Sequence, residues 1–190
     1  MATIRIRVLL VSLMLGSFSL NRAIAQDKTS SKIAYYNKTK INFLSGGNND
    51  DNDRGINLST IHGAHVSDIL ALGVGIGITG GNRYPSTVIP VFLNSKLSLT
   101  NTRKLYISGD LGFSFATENA VKGGILGELS IGWKFRFGGV AIAPEIGYRY
   151  DGYKGKYTRT NAINGEYTYT DISFSNHINS LSAGLSLYFQ

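Results

Sequence analysis

Seven consecutive odd positions, Ile125, Gly127, Leu129, Ile131, Trp133, Phe135 and Phe137, carry no polar side chain, while the positions between them include Glu128, Ser130, Lys134 and Arg136. Successive side chains of a strand point to opposite faces, so this period of two makes one apolar face and one charged face. A helix of the same residues would scatter Glu128 and Arg136 among Ile125, Leu129 and Gly132. The segment is therefore a strand whose two sides need different surroundings.

The pattern returns along the chain. Eight strand-like segments can be laid out at 35–45, 56–64, 69–80, 87–99, 105–116, 124–137, 140–150 and 176–189. Most are near the roughly 9 to 11 residues that a tilted membrane-spanning strand requires. In the fifth, Leu105, Ile107, Leu111, Phe113 and Phe115 oppose Tyr106, Ser108, Asp110 and Ser114. In the eighth, Leu181, Ala183, Leu185, Leu187 and Phe189 oppose Ser182, Gly184, Ser186 and Tyr188. The third sets Leu70, Leu72, Val74, Ile76 and Ile78 against Gly73, Gly75 and Gly77, leaving room on its inner face for larger neighbours. The first two segments alternate poorly.

Connections alternate in length. Those around 66–68, 101–104 and 138–139 are tight, and those around 46–55, 81–86, 117–123 and 151–175 are longer and more polar. This is the asymmetry of outer-membrane barrels, with short periplasmic turns and longer external loops. Aromatic residues fall at both ends of the apolar faces: Trp133, Phe135, Phe137 and Phe189 toward the turns, and Phe113, Phe115, Tyr148 and Tyr150 toward the loops. Two interfacial girdles are expected there. The fold class is all-β: an up-and-down, eight-stranded antiparallel transmembrane β-barrel.

Composition agrees. Residues 1–25 read as a cleavable secretory signal, with Arg5 and Arg7 before an apolar stretch from Val8 to Phe18 and Ala23-Ile24-Ala25 as the cleavage site. That leaves 26–190 as one barrel domain, exported through a Sec-type route. Removing Arg5, Arg7 and Arg22 lowers the formal charge from +7 to +4, which weakens any nucleic-acid reading. Charged residues are 16% of the chain, against about 25% in soluble domains, so part of the surface is expected to face something other than water.

The chemistry-bearing residues concentrate on the inner faces. Lys96, Asp110, Glu128, Lys134, Arg136, Glu145 and Arg149 are expected to meet in a lumen just wide enough to be filled by side chains. They read as a plug of paired charges or, alternatively, as a narrow ion path. Outside the membrane, Tyr153, Tyr157, Tyr167 and Tyr169, beside Lys154, Lys156 and Arg159, offer a surface for a glycan, lipopolysaccharide or a protein; alternatively, the alternation from Glu166 to Asp171 reads as simple extension of the hairpin beyond the membrane. Gly75-x-Gly77-x-x-Gly80 spells a dinucleotide fingerprint, but a strand rather than a helix follows it. His62 and His65 point to opposite faces of a strand, and His65-x-Ser67 lies at a turn. His177 lies near the loop rim. The carboxylates of 48–53 lack the EF-hand spacing. No catalytic residue, metal site or cofactor is expected.

Thr60-Ile61-His62-Gly63, Leu72-Gly73-Val74-Gly75-Ile76-Gly77, Ile89-Pro90-Val91-Phe92, Gly109-Asp110-Leu111-Gly112-Phe113-Ser114-Phe115-Ala116 and Glu145-Ile146-Gly147-Tyr148 together resemble the small outer-membrane β-barrel proteins of Bacteroidetes, within the broader OmpA-like and OmpX-like eight-stranded barrels. The resemblance implies fold and location, and it carries over no catalytic or binding residue. Such barrels usually end on an aromatic residue, whereas here Phe189 is followed by Gln190. The implied partners are outer-membrane lipid and lipopolysaccharide, and the barrel assembly machinery during insertion. The expected role is that of a non-enzymatic outer-membrane protein whose external loops make its contacts. Alternatives are an accessory barrel of a secretion or gliding machinery, a lipid A-modifying enzyme, and a soluble periplasmic ligand-binding barrel.

Overall fold

A sheet of two-faced strands left open would present unpaired backbone groups at its edges, a fault that only full closure removes and that a membrane does not tolerate. A computed structural model shows the closure. It describes residues 34–46, 54–82, 84, 86–100, 102, 104–117, 121–163 and 166–189, with the backbone alone for 156–171. The proposed signal segment, the acidic stretch 48–53 and the side chains of Tyr157, Tyr167 and Tyr169 lie outside the described part.

The strands are β1 (Ala34–Ser45), β2 (Arg54–His65), β3 (Leu70–Gly81), β4 (Val88–Ser98), β5 (Leu105–Ala116), β6 (Val121–Trp133), β7 (Phe135–Phe137), β8 (Val140–Ile163) and β9 (Glu166–Phe189). They pair antiparallel in the order β6-β5-β4-β3-β2-β1-β9-β8-β7, and β6 also pairs with β8. β6 and β7 are one stave interrupted at Lys134, whose backbone N–H donates to the Lys104 carbonyl at 2.8 Å. The result is a closed antiparallel barrel of eight staves. β1 and β9 seal it from Asn37↔Phe189 to Ser45↔Leu181.

Two sequence expectations need correction. The sixth strand is broken at Lys134 rather than continuous from 124 to 137, and a register shift lies between Gly123 and Leu126. The segment 151–175, laid out as a long connection, is instead the strand extension that the alternation from Glu166 to Asp171 suggests: β8 and β9 stay paired from Val140↔Phe189 to Ile163↔Glu166. Alternation persists beyond the apolar stretch there, with polar residues on both faces, so hydropathy contrast ends before the strand does.

Register sorts the side chains. Leu93, Leu111, Leu129 and Leu181 are each more than 60% exposed on the outer wall, whereas Arg149, Lys38, Lys40 and Lys96 are 1–2% exposed inside. A water-soluble barrel would be arranged the other way round, so the soluble periplasmic reading does not fit this wall. The glycines of β3 make room as expected: a Cβ on Gly75 would run into the Phe92 ring from β4. The β7–β8 turn needs Gly138, whose φ of +61° is left-handed.

Candidate functional site

The lumen is the densest polar site among the described residues, and it is built from neighbours in space that lie far apart in the chain. Glu128 of β6 stands near its centre. Its Oε1 accepts from Lys40 Nζ at 2.7 Å, Asn42 Nδ2 at 2.9 Å and Ser182 Oγ at 3.2 Å, and its Oε2 lies 3.6 Å from Arg149 Nη1. Lys40 also reaches Asp110 Oδ2 at 3.4 Å and Glu145 Oε2 at 3.8 Å. One ammonium thus ties together three carboxylates from β5, β6 and β8.

Above this centre, toward the long connections, Arg149 forks onto Asp151 through Nε at 2.8 Å and Nη2 at 2.9 Å. Such a bidentate pair is both strong and directional. Tyr84 donates to Asp151 Oδ2 at 2.7 Å, and Arg149 Nη2 donates to Thr79 Oγ1 at 3.2 Å. An apolar cluster of Leu44, Tyr84, Val88 and Ile178 covers the network, with Tyr153 packed against it.

Below the centre, toward the tight turns, Glu145 Oε1 pairs with Lys38 Nζ at 2.7 Å and accepts from Tyr106 and Ser186 hydroxyls, each at 2.6 Å. Asp110 accepts from Asn94 Nδ2 at 2.5 Å, and Asn94 Oδ1 accepts from Tyr36 at 3.0 Å. Three buried tyrosines, Tyr36, Tyr106 and Tyr188, line this end. Lys96 Nζ lies 4.4 Å from the Tyr36 ring centre and 4.8 Å from that of Tyr188, and Lys134 Nζ lies 4.1 Å from that of Tyr188.

Of the residues expected in the lumen, the structure buries Lys96, Asp110, Glu128, Lys134, Glu145 and Arg149. It joins Glu128 directly to Arg149, and joins Asp110, Glu128 and Glu145 through Lys40. Lys96 and Lys134 meet tyrosine faces. Arg136 is a correction: it is exposed in the three-residue β7, opposite Ala141 at the tight-turn rim and one pair from the end of the hairpin at Phe137↔Val140. Sequence reasoning missed Lys38, Lys40 and Asn42, which alternate on β1 but oppose Asn37 and Thr39, so the two faces lack contrast. It also missed Asp151, assigned to a loop.

The remaining expected residues divide by face. Trp133, Phe135 and Phe137 are exposed on the outer wall at the turn end, as is the partly exposed Phe189, while Tyr148 and Tyr150 are exposed nearer the loop end. Tyr153 is a correction, because its ring meets Phe174 edge-on at 6.3 Å and packs on the covering cluster instead of standing free in a loop. His62 lies outside, hydrogen-bonded to Tyr35 and Asn37, and His65 lies inside near the Tyr36 ring. His177 stacks on Tyr150 at 5.5 Å and 19°. The glycine fingerprint lies wholly within β3, in extended backbone.

An apolar exterior around a charged interior defines a transmembrane β-barrel of the outer-membrane type. Neisserial surface protein A is similar in structure, with a TM-score of 0.56 at 9% identity over 84% of this chain and 99% of that one. The outer-membrane protein AlkL, solved in DMPC bilayers, gives 0.48 at 10% identity over 86% and 95%. The KdgM porin gives 0.34 at 10% identity over 82% and 98%. No protein-family model and no curated protein matches the chain.

Proposed function

We propose that this chain is a non-enzymatic outer-membrane protein with a lumen plugged by ion pairs and a working surface on the projecting β8–β9 hairpin. The observation that carries this reading is a difference in length. β8 and β9 run 24 residues each, against 11 to 13 for β1 to β6. β6 pairs with β8 as far as Val121↔Gly155, so at about 3.3 Å per residue the stretch 156–163 carries roughly 25 Å of paired strand past that neighbouring stave. A hairpin continued so far past the barrel presents a surface that bilayer spanning does not require.

With the tight turns on the periplasmic side, that hairpin stands outside the cell. Its sequence interleaves Tyr157, Tyr167 and Tyr169 with Lys154, Lys156 and Arg159. Aromatic faces next to cations suit an envelope or surface protein, or an anionic glycan. A place among the Bacteroidetes-type, OmpA/OmpX-like barrels, Sec-dependent export with cleavage near Ala25, contact with lipopolysaccharide, and insertion by the barrel assembly machinery belong to the same proposal. So does an accessory place in a secretion or gliding machinery, which the hairpin would serve equally well.

Two measurements test the reading. In planar bilayers the folded barrel is expected to give no porin-sized conductance steps; steady large steps would remove the plug. An epitope inserted between Ile163 and Glu166 is expected to be reached by antibody on intact cells, with heat-modifiable gel migration retained. An epitope detected only after permeabilisation would overturn the external hairpin.

A further inference from the structure

At the tight-turn end one stave reaches past its neighbour. β5 and β6 stay paired down to Leu105↔Trp133, and the Lys134 backbone N–H donates to the Lys104 carbonyl at 2.8 Å. From there the chain runs on as β7, which pairs with β8 alone among the described residues. On its other side, toward the β4–β5 turn, a cleft of about 390 Å³ opens, lined by Lys104 and Arg136 together with Trp133, Phe135 and Phe137. All five side chains are exposed. Lys134 also borders the cleft, but it is buried and reaches the Tyr188 ring in the lumen.

Charge and hydropathy are sorted around this cleft. Neither 100–105 nor 133–144 contains an aspartate or glutamate, so the two connections that frame it bring only cations. Asp68, in the β2–β3 turn, has β4 and β5 between it and β7. The carboxylates of the adjoining strands, Asp110, Glu128 and Glu145, are buried in the lumen. The three rings belong to the outer wall, and rings at a barrel rim settle where hydrocarbon gives way to headgroups. Cationic side chains at that level stand within reach of lipid phosphates, and each attracts anionic lipid.

We propose that Lys104 and Arg136, backed by the rings of Trp133, Phe135 and Phe137, form a binding site for the headgroup of an anionic phospholipid of the phosphatidylglycerol class. The phosphate sits between the two cations, and the acyl chains run along the exposed rings toward the bilayer interior. A zwitterionic lipid fits less well, because its own cationic group meets Lys104 and Arg136 with no carboxylate in the cleft to receive it. The site belongs to the leaflet at the tight turns, which is the periplasmic one in the orientation proposed above. A hairpin epitope found only after permeabilisation would reverse the leaflet and leave the cleft as it is.

Trp133 is the only tryptophan of the chain, so its fluorescence reports on this cleft. The barrel is folded into phosphatidylcholine vesicles that contain brominated phosphatidylglycerol or, as the reference, brominated phosphatidylcholine, and quenching of Trp133 measures which lipid stands beside it. Phosphatidylglycerol is expected to be preferred about tenfold. The preference should fall toward unity in about 1 M sodium chloride, where the screening length is roughly 3 Å. Lys104→Gln combined with Arg136→Gln, checked as folded by its gel shift, is expected to abolish it, whereas Lys104→Arg combined with Arg136→Lys keeps it. Each glutamine change alone is expected to lower it about threefold, which gives a second route if the double variant does not fold. Equal quenching by the two lipids in the unaltered barrel, or a preference undiminished in the folded glutamine variants, overturns the proposal. So does loss of the preference in millimolar sodium phosphate beyond that in sodium chloride of equal ionic strength, which would make the cleft a site for free phosphate.

Discussion

The lumen has a loop-side half and a turn-side half that solve the same problem differently. On the loop side Arg149 lies between Glu128 and Asp151, and at the centre Lys40 lies between Asp110 and Glu128. On the turn side Lys38 is paired with Glu145, while Lys96 meets the rings of Tyr36 and Tyr188. The lesson is that burial of charge is not one condition. A paired charge is costly to unpair, because its partner is left stranded, whereas a charge held only by aromatic faces leaves no ion behind when it is removed.

That difference sets the order of expected effects. Arg149→Met should be the most damaging change, losing about 3–5 kcal/mol of stability in urea unfolding from lipid vesicles, since it strands Asp151 and takes from Glu128 one of its two cations. A loss under about 1 kcal/mol would erase the contrast between the halves. Moving the same cation to the other face makes the next test. Leu111, 66% exposed at the middle of β5, changed to arginine should cost about 2–4 kcal/mol in the same assay. A neutral Leu111→Arg would mean that the outer wall does not face hydrocarbon.

Smaller effects separate packing from charge. Gly75→Ala should cost about 1–3 kcal/mol by driving a methyl into the Phe92 ring, and Gly75→Ala combined with Phe92→Leu should recover most of it. Smallest of all, Lys96→Met should change stability by less than about 1.5 kcal/mol in either direction, an apolar chain filling the ammonium's place among the tyrosines. A Lys96→Met loss as large as that of Arg149→Met would show that Lys96 is held by more than aromatic faces.

How much could be read beforehand varied with the contrast between faces. β5, β6 and the barrel part of β9 were legible because leucine and phenylalanine alternate with serine, aspartate and glutamate. β1 and β2 were nearly illegible. Asn37, Thr39, Thr60 and His62 are polar yet lie on the outward side toward the turn end, so both faces look wet there. For that reason the lysines of β1 went unnoticed although they hold the network together. The extension of β8 and β9 showed only in the alternation from Glu166 to Asp171, without hydropathy contrast, since beyond the bilayer neither face has to be apolar.

The chain alone determined which side chains turn outward, because Cβ atoms alternate along any extended strand whatever its partner. It also determined that charges from several strands, among them Asp110, Glu128, Glu145 and Arg149, would share one interior. The tertiary structure decided which of them touch. Lys40 and Glu128 stand 88 residues apart in sequence and 2.7 Å apart in space, brought together by the stagger of staves around a closed sheet. No local spacing encodes that stagger, and it is what left Lys96 against tyrosine faces while Lys40 gained its carboxylates.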